Sequence, residues 1–234
     1  MVSLNQVQRE IQKLANPQKA KILSRFFKTG KGEYGEGDVF IGLTVPMSRK
    51  IATDHSTLQL SDVQQLLQSK IHEERLIALL ILVRNFQKGN TKIRKEIYDF
   101  YLAHTKYINN WDLVDLSADK IVGGYLLDKP RAVLYALAKS ANLWERRIAV
   151  LATFAFIKEK KESKDTFAIA QLLLNDTHDL IHKAVGWMLR EVGKRISLRV
   201  EEEFLTNHYK HMPRTMLRYA IERFPEVKRQ TFLV

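Results

Sequence analysis

The sequence predicts an all-α protein, a helical-repeat solenoid of about six helix pairs with a short Gly-rich hairpin or loop insertion near the N-terminus. Three observations carry this expectation. Apolar residues recur at helical spacing along most of the 234 residues. A small residue flanked by apolar ones returns at a period of 35–36 positions. Half of the ten glycines, at 30, 32, 35, 37 and 42, fall in one stretch.

The helical pattern covers 4–15, 18–28, 46–54, 61–69, 73–87, 91–105, 111–127, 131–140, 144–159, 164–175, 178–194, 198–211 and 214–224. Punctuation agrees with these limits. Ser61 precedes one helix, and Pro46, Pro130 and Pro213 sit at first turns, where a missing N–H costs nothing. Gly89-Asn90 and Gly193 mark ends. The pattern changes only over 30–45, in Gly30–Gly42 and the residues after it. There Val39, Ile41, Leu43 and Val45 alternate with other residues, which predicts a short β-hairpin or an extended loop. No G-K-[ST] follows the glycines, so a nucleotide phosphate-binding loop is not expected.

The period appears in Glu73–Leu80, Trp144–Leu151, Ile181–Trp187 and Leu217–Ile221. Their small residues, Ala78, Ala149, Ala184 and Ala220, are 71, 35 and 36 positions apart, and a further helix, 111–127, falls inside the long gap. Two helices per unit at this period form an α-solenoid, and the whole chain, 1–234, reads as one domain. Arg75, Arg146, Arg147, Lys183 and Arg218 lie just before the small residues, so they are expected to form a basic stripe that follows a phosphate backbone.

Charge points the same way. Net charge is +12, from 38 Lys and Arg against 26 Asp and Glu, and a pI near 9.8 favours a polyanionic partner. Zero cysteines exclude a disulfide scaffold, a thiolate metal site and a Cys nucleophile, and no metal is expected. The N-terminus lacks an apolar signal core, and no apolar run reaches the about 18 residues of a membrane span. A cytoplasmic protein, monomeric and without a membrane partner, is expected.

Trp111 and Asp115 stand four apart in Asn109-Asn110-Trp111-Asp112-Leu113-Val114-Asp115 and so share a helix face. Asp112 lies on another face, where it can partner the helix dipole. A carboxylate beside an indole suits a ligand that is cationic or becomes so.

Asn-Trp-Asp-Leu-Val-Asp, then Leu-Trp-Glu-Arg-Arg-Ile-Ala, then Ile-His-Lys-Ala-Val-Gly-Trp-Met-Leu-Arg-Glu resembles the DNA alkylation repair family with HEAT-like repeats, the AlkD superfamily of DNA glycosylases. The resemblance implies a HEAT-like repeat fold and removal of cationic N3- and N7-alkylated purines from DNA. It makes Trp111 and Asp115 the catalytic pair, Trp187 the second indole and Arg147 a phosphate-binding arginine. Such a purine is already a good leaving group. A fixed carboxylate that stabilises the oxocarbenium-like sugar is then sufficient, with no cofactor. Two positions depart from the family pattern. Asn110 stands where the family's prototype has a further Trp, and Phe26 matches its early catalytic-site Tyr. The Gly-rich segment, with Tyr34 and Phe40 as apolar contacts, resembles the hairpin-containing branch. That likeness implies the alternative of binding branched DNA, such as Holliday junctions, without excision.

Overall fold

A computed structural model describes residues 3–233. Among these the chain forms fourteen α-helices and no strand, in two compact units, one ending at Ser117 and the other beginning at Ala118. The all-α helical-repeat class expected from the sequence is the class observed. No helix among the described residues is long and apolar enough to cross a membrane.

The first unit contains α1 (Leu4–Lys13), α2 (Pro17–Phe26), α3 (Val45–Asp54), α4 (Leu60–Leu67), α5 (His72–Lys88) and α6 (Thr91–Ala103), and it takes in most of α7 (Trp111–Ala118). Its centre is α5, against which α3, α4 and α6 pack. The sequence explains that position. The run from Leu76 to Val83 is apolar without interruption, so every face of α5 must be covered. At the other extreme, α2 buries none of its residues.

The second unit contains α8 (Ala132–Ala138), α9 (Leu143–Glu159), α10 (Lys164–Leu172), α11 (Asp179–Arg195), α12 (Leu198–His208), α13 (Arg214–Ala220) and α14 (Glu226–Leu233). A π-helical turn, Asp119–Gly123, precedes them and packs on α9. From there α9 packs on α11 and α11 on α13, so helices one repeat apart are neighbours, as in a solenoid. The repeat's small residues, Ala78, Ala149, Ala184 and Ala220, are fully buried. Gly186 shows how close this packing is. A Cβ there would lie 2.4 Å from the Met216 carbonyl oxygen and 2.5 Å from the Tyr219 Cβ.

Three details differ from the sequence reading. Ser61 is the second residue of α4, not its cap, which is Gln59. The helix α14 was missed because its only large apolar residues besides Leu233 are the exposed Val227 and the buried Phe232, too few to show a period. The third is the Gly-rich segment. Of the hairpin and the loop, the loop is found. Turns fill 31–37, and a single parallel bridge joins Val39 to Ile71. The donors a second strand would have paired are taken by a side chain instead. The Glu73 carboxylate accepts from the amides of Ile41 (3.1 Å), Gly42 (2.8 Å) and Leu43 (3.2 Å). Phe40 and Leu43 are buried while Val39 is exposed, so the alternation that suggested a hairpin does not sort inside from outside.

Candidate nucleic-acid interface

In the first unit the site is built around the start of α7. Asn110 is fully buried; its Nδ2 donates to Asp38 (3.1 Å) and its Oδ1 accepts from the Trp111 amide (2.8 Å). The indole of Trp111 is therefore set by a buried anchor. Phe27 stacks on it at 5.0 Å and 11°, and the ring edge of Phe26 meets it at 5.9 Å. Trp111 and Asp115, one turn apart, are both half-buried. Phe26 is 63% exposed. The first unit thus brings an indole, a carboxylate and an exposed phenyl ring together. Tyr34 is half-buried, with the Lys28 ammonium 6.0 Å from its ring centre. Phe40 is buried in the stack with Phe27 (4.9 Å) and His72 (4.4 Å), so it is not the exposed contact expected of it.

Asp112 points the other way. It is buried and accepts from His72 Nε2 at 2.9 Å. The opposite ring nitrogen, Nδ1, lies 3.1 Å from Asp38. Arg75 completes the group by donating to Asp38 at 2.7 Å and to the Ser69 carbonyl at 3.0 Å. Burial alone would depress the His72 pKa, but Asp112 and Asp38 outweigh it and raise it. Burial would raise the Asp38 pKa, but the His72 hydrogen bond and the Arg75 charge outweigh it and lower it. Two carboxylates therefore face a guanidinium and an imidazole whose protonated form they favour inside the first unit. The sequence reading missed this group. Its signal is Glu73-Glu74-Arg75 set directly before the apolar run of α5, a place where charges must be paired.

The basic stripe needs correction. Arg75 is 3% exposed and committed to Asp38, so it is unavailable to a phosphate. In the second unit Arg147 is buried, and its Nη1 donates to the Leu180 carbonyl of α11. Arg146 donates to Asp176 (2.7 Å) and to the carbonyls of Ser140 and Ala141 (3.0 and 2.9 Å). Lys183 is partly exposed beside Asp179 at 2.7 Å, and Arg218 is exposed. The reason is geometric. The five residues stand three, three, two, one and two positions before their small residue. At roughly 100° per residue those offsets point in three directions, not along one face. Exposed cations that the repeat did not reveal lie on and just after α2, at Lys19, Lys21, Arg25 and Lys28.

Trp187, on the same face of α11 as Lys183, is half-buried, and its Nε1 donates to Glu191 at 3.4 Å. His178 and His182 stand four apart in the sequence, but each serves the α11 terminus. His178 Nδ1 accepts from the Leu180 amide at 3.1 Å, and His182 Nε2 donates to the Asp176 carbonyl.

The sequence profile described as DNA alkylation repair enzyme matches residues 7–224. Among solved structures, the chain is similar to a protein of Enterococcus faecalis described as a predicted DNA alkylation repair enzyme. Their TM-score is 0.68 at 19% identity, over 91% of this chain and 97% of the other. It is also similar to the smu.31 protein of Streptococcus mutans UA159, with a TM-score of 0.53 at 19% identity, over 96% and 100% of the two chains. At that identity the likeness is one of fold. No curated protein matches.

Proposed function

Because the chain belongs to the DNA alkylation repair enzyme family, we propose that it binds DNA and hydrolyses the N-glycosidic bond of cationic N3- and N7-alkylated purines. The observation that carries this is the division of labour on α7. Asp112 is turned inward to His72, while Asp115 stays half-buried one turn from the braced indole of Trp111. A carboxylate needed only for the fold would be expected where Asp112 is.

In this reading Trp111 holds the cationic nucleotide by cation–π contact, and Trp187 is an indole that the second unit offers to DNA. Asp115 stabilises the positive charge that develops on the sugar as the bond to the purine breaks, and it orients the water that attacks. No proton need be given to the base, which leaves neutral. Phe26 supports the same aromatic surface without the hydroxyl that the family's prototype has there. In the second unit Lys183 and Arg218 meet phosphates, while Arg146 and Arg147 position α9 against its neighbours; in the first unit the cations of α2 meet phosphates.

The test is excision of 7-methylguanine or 3-methyladenine from methylated duplex DNA. Asp115→Asn is expected to lower release by at least about 100-fold while DNA affinity stays equal or rises, since a negative charge near phosphate is lost. If the wild-type chain binds DNA but releases no methylpurine, the enzyme reading fails. A preference for four-way junctions over duplex in that same experiment would establish the branched-DNA reading in its place.

A further inference from the structure

The first unit holds a cavity of about 290 Å³, lined by Ile22 and Leu23 of α2, by the rings of Phe27 and Phe40, and by His72 and Asp112 of the buried charge group. Most of its lining is apolar, and the Phe27, Phe40 and His72 rings, 4.9 and 4.4 Å apart in their stack, form an aromatic wall. One polar atom is unmatched. Asp112 is 7% exposed and uses Oδ2 to accept from His72, while its Oδ1 is buried with no hydrogen-bond partner among the described residues. A buried carboxylate oxygen in that position calls for a donor. Glu73, the other carboxylate at the cavity, already accepts three backbone amides. The size lies at the lower end of small-molecule pockets. Lys19, exposed on α2, also lines the cavity and supplies a cation. The α2 side of the cavity faces solvent, since α2 buries none of its residues and Ile22 is 66% exposed.

We infer that this cavity binds an amino-bearing nucleobase, whose exocyclic N–H donates to the Asp112 carboxylate while its ring lies against the aromatic wall. The wall and the acceptor call for a flat aromatic amine, and the choice of a nucleobase among such amines rests on the proposed DNA function. The ligand group that meets Asp112 must be a donor, not an anion. Where the base carries a 5′-phosphate, Lys19 is its counter-ion. The base comes either from solution or from an unstacked nucleotide of DNA.

Isothermal titration of the intact chain with free adenine, adenosine 5′-monophosphate and unsubstituted purine tests the first source. Adenine should bind, and purine, which lacks the amino group, should bind at least about tenfold more weakly. Leu23→Trp, which fills the cavity from a surface helix, should abolish adenine binding, and Lys19→Ala should remove any advantage of the monophosphate. Asp112→Asn should weaken adenine at least about tenfold. If that variant unfolds, the adenine–purine comparison and Leu23→Trp still decide. A duplex with a single unpaired 2-aminopurine tests the second source through quenching of its fluorescence, which Leu23→Trp should prevent. Equal binding of adenine and purine overturns the inference. So does the absence of binding by the free bases at about 10 mM together with unchanged 2-aminopurine fluorescence. Methylpurine excision is measured separately. Adenine binding without excision refutes only the glycosylase reading, and excision without base binding refutes only the cavity's role.

Discussion

Two buried acid sites, one in each unit, are handled in opposite ways. In the first, Asp38 and Asp112 flank His72, and Arg75 closes the group. In the second, Glu201 of α12 is 1% exposed, its Oε1 has no hydrogen-bond partner among the described residues, and the nearest compensating charge, Arg190, is already paired with Glu222. The electrostatic result differs in sign. The pKa of Asp38 is lowered, whereas burial pushes Glu201 up to about 8. The comparison teaches that burial alone does not decide a carboxyl's charge. A buried acid with charged and hydrogen-bonding partners stays ionised, and one without them keeps its proton to higher pH.

The largest expected effect comes from breaking the paired group. His72→Leu leaves Asp38 and Asp112 buried without their shared donor and should cost about 3–5 kcal/mol, read from urea unfolding at pH 6. An unchanged midpoint would mean that the group is not held as described. His72 also links stability to pH. Its raised pKa means its contribution is complete below 6.5 and is lost as pH rises through the folded value. In Asp112→Asn the imidazole should titrate at lower pH by NMR.

A smaller effect follows from the unpaired acid. With its folded pKa above the ordinary 4.5, Glu201 favours the folded state fully below that value, and its contribution is lost as pH rises toward 8. Glu201→Gln should therefore be more stable than wild type at pH 8 by about 1–3 kcal/mol and nearly equal at pH 4. A difference that does not change with pH would contradict the protonated buried acid. The smallest effect is at the surface. Arg218→Ala should change stability by no more than about 0.5 kcal/mol yet lower the slope of log affinity against log salt by about one. Arg75→Ala should do the reverse, losing stability without a specific change in salt slope.

The contrast also marks how far the sequence could be read. The helices were legible because their apolar residues keep helical spacing, and the repeat was legible because Ala78, Ala149, Ala184 and Ala220 must all be small where helices approach. The pair Trp111 and Asp115 was legible as a shared face because four positions make about one turn. The basic stripe was not, because nearness to a repeat's small residue does not fix direction around the helix. Arg75 shows this, standing three positions before Ala78 and facing the interior. The Gly-rich segment misled for a different reason. Alternation implies extended backbone, but only tertiary structure says what its amides bond to. Glu73 lies thirty or more positions from Ile41, Gly42 and Leu43. The charge group was equally hidden, since Asp38, His72 and Asp112 come together only when three distant segments have folded.

The Glu73 clamp has a kinetic corollary. Residues 41–43 lack a regular ladder, yet their amides point at a carboxylate carried by α5. Order in that stretch must follow formation of α5, so it should lock late during folding. In deuterated solvent those three amides should exchange about as slowly as the helix that holds them, while the turn-rich residues 31–37 exchange fast. A segment that looks like loose connecting chain would then share the helix's opening equilibrium.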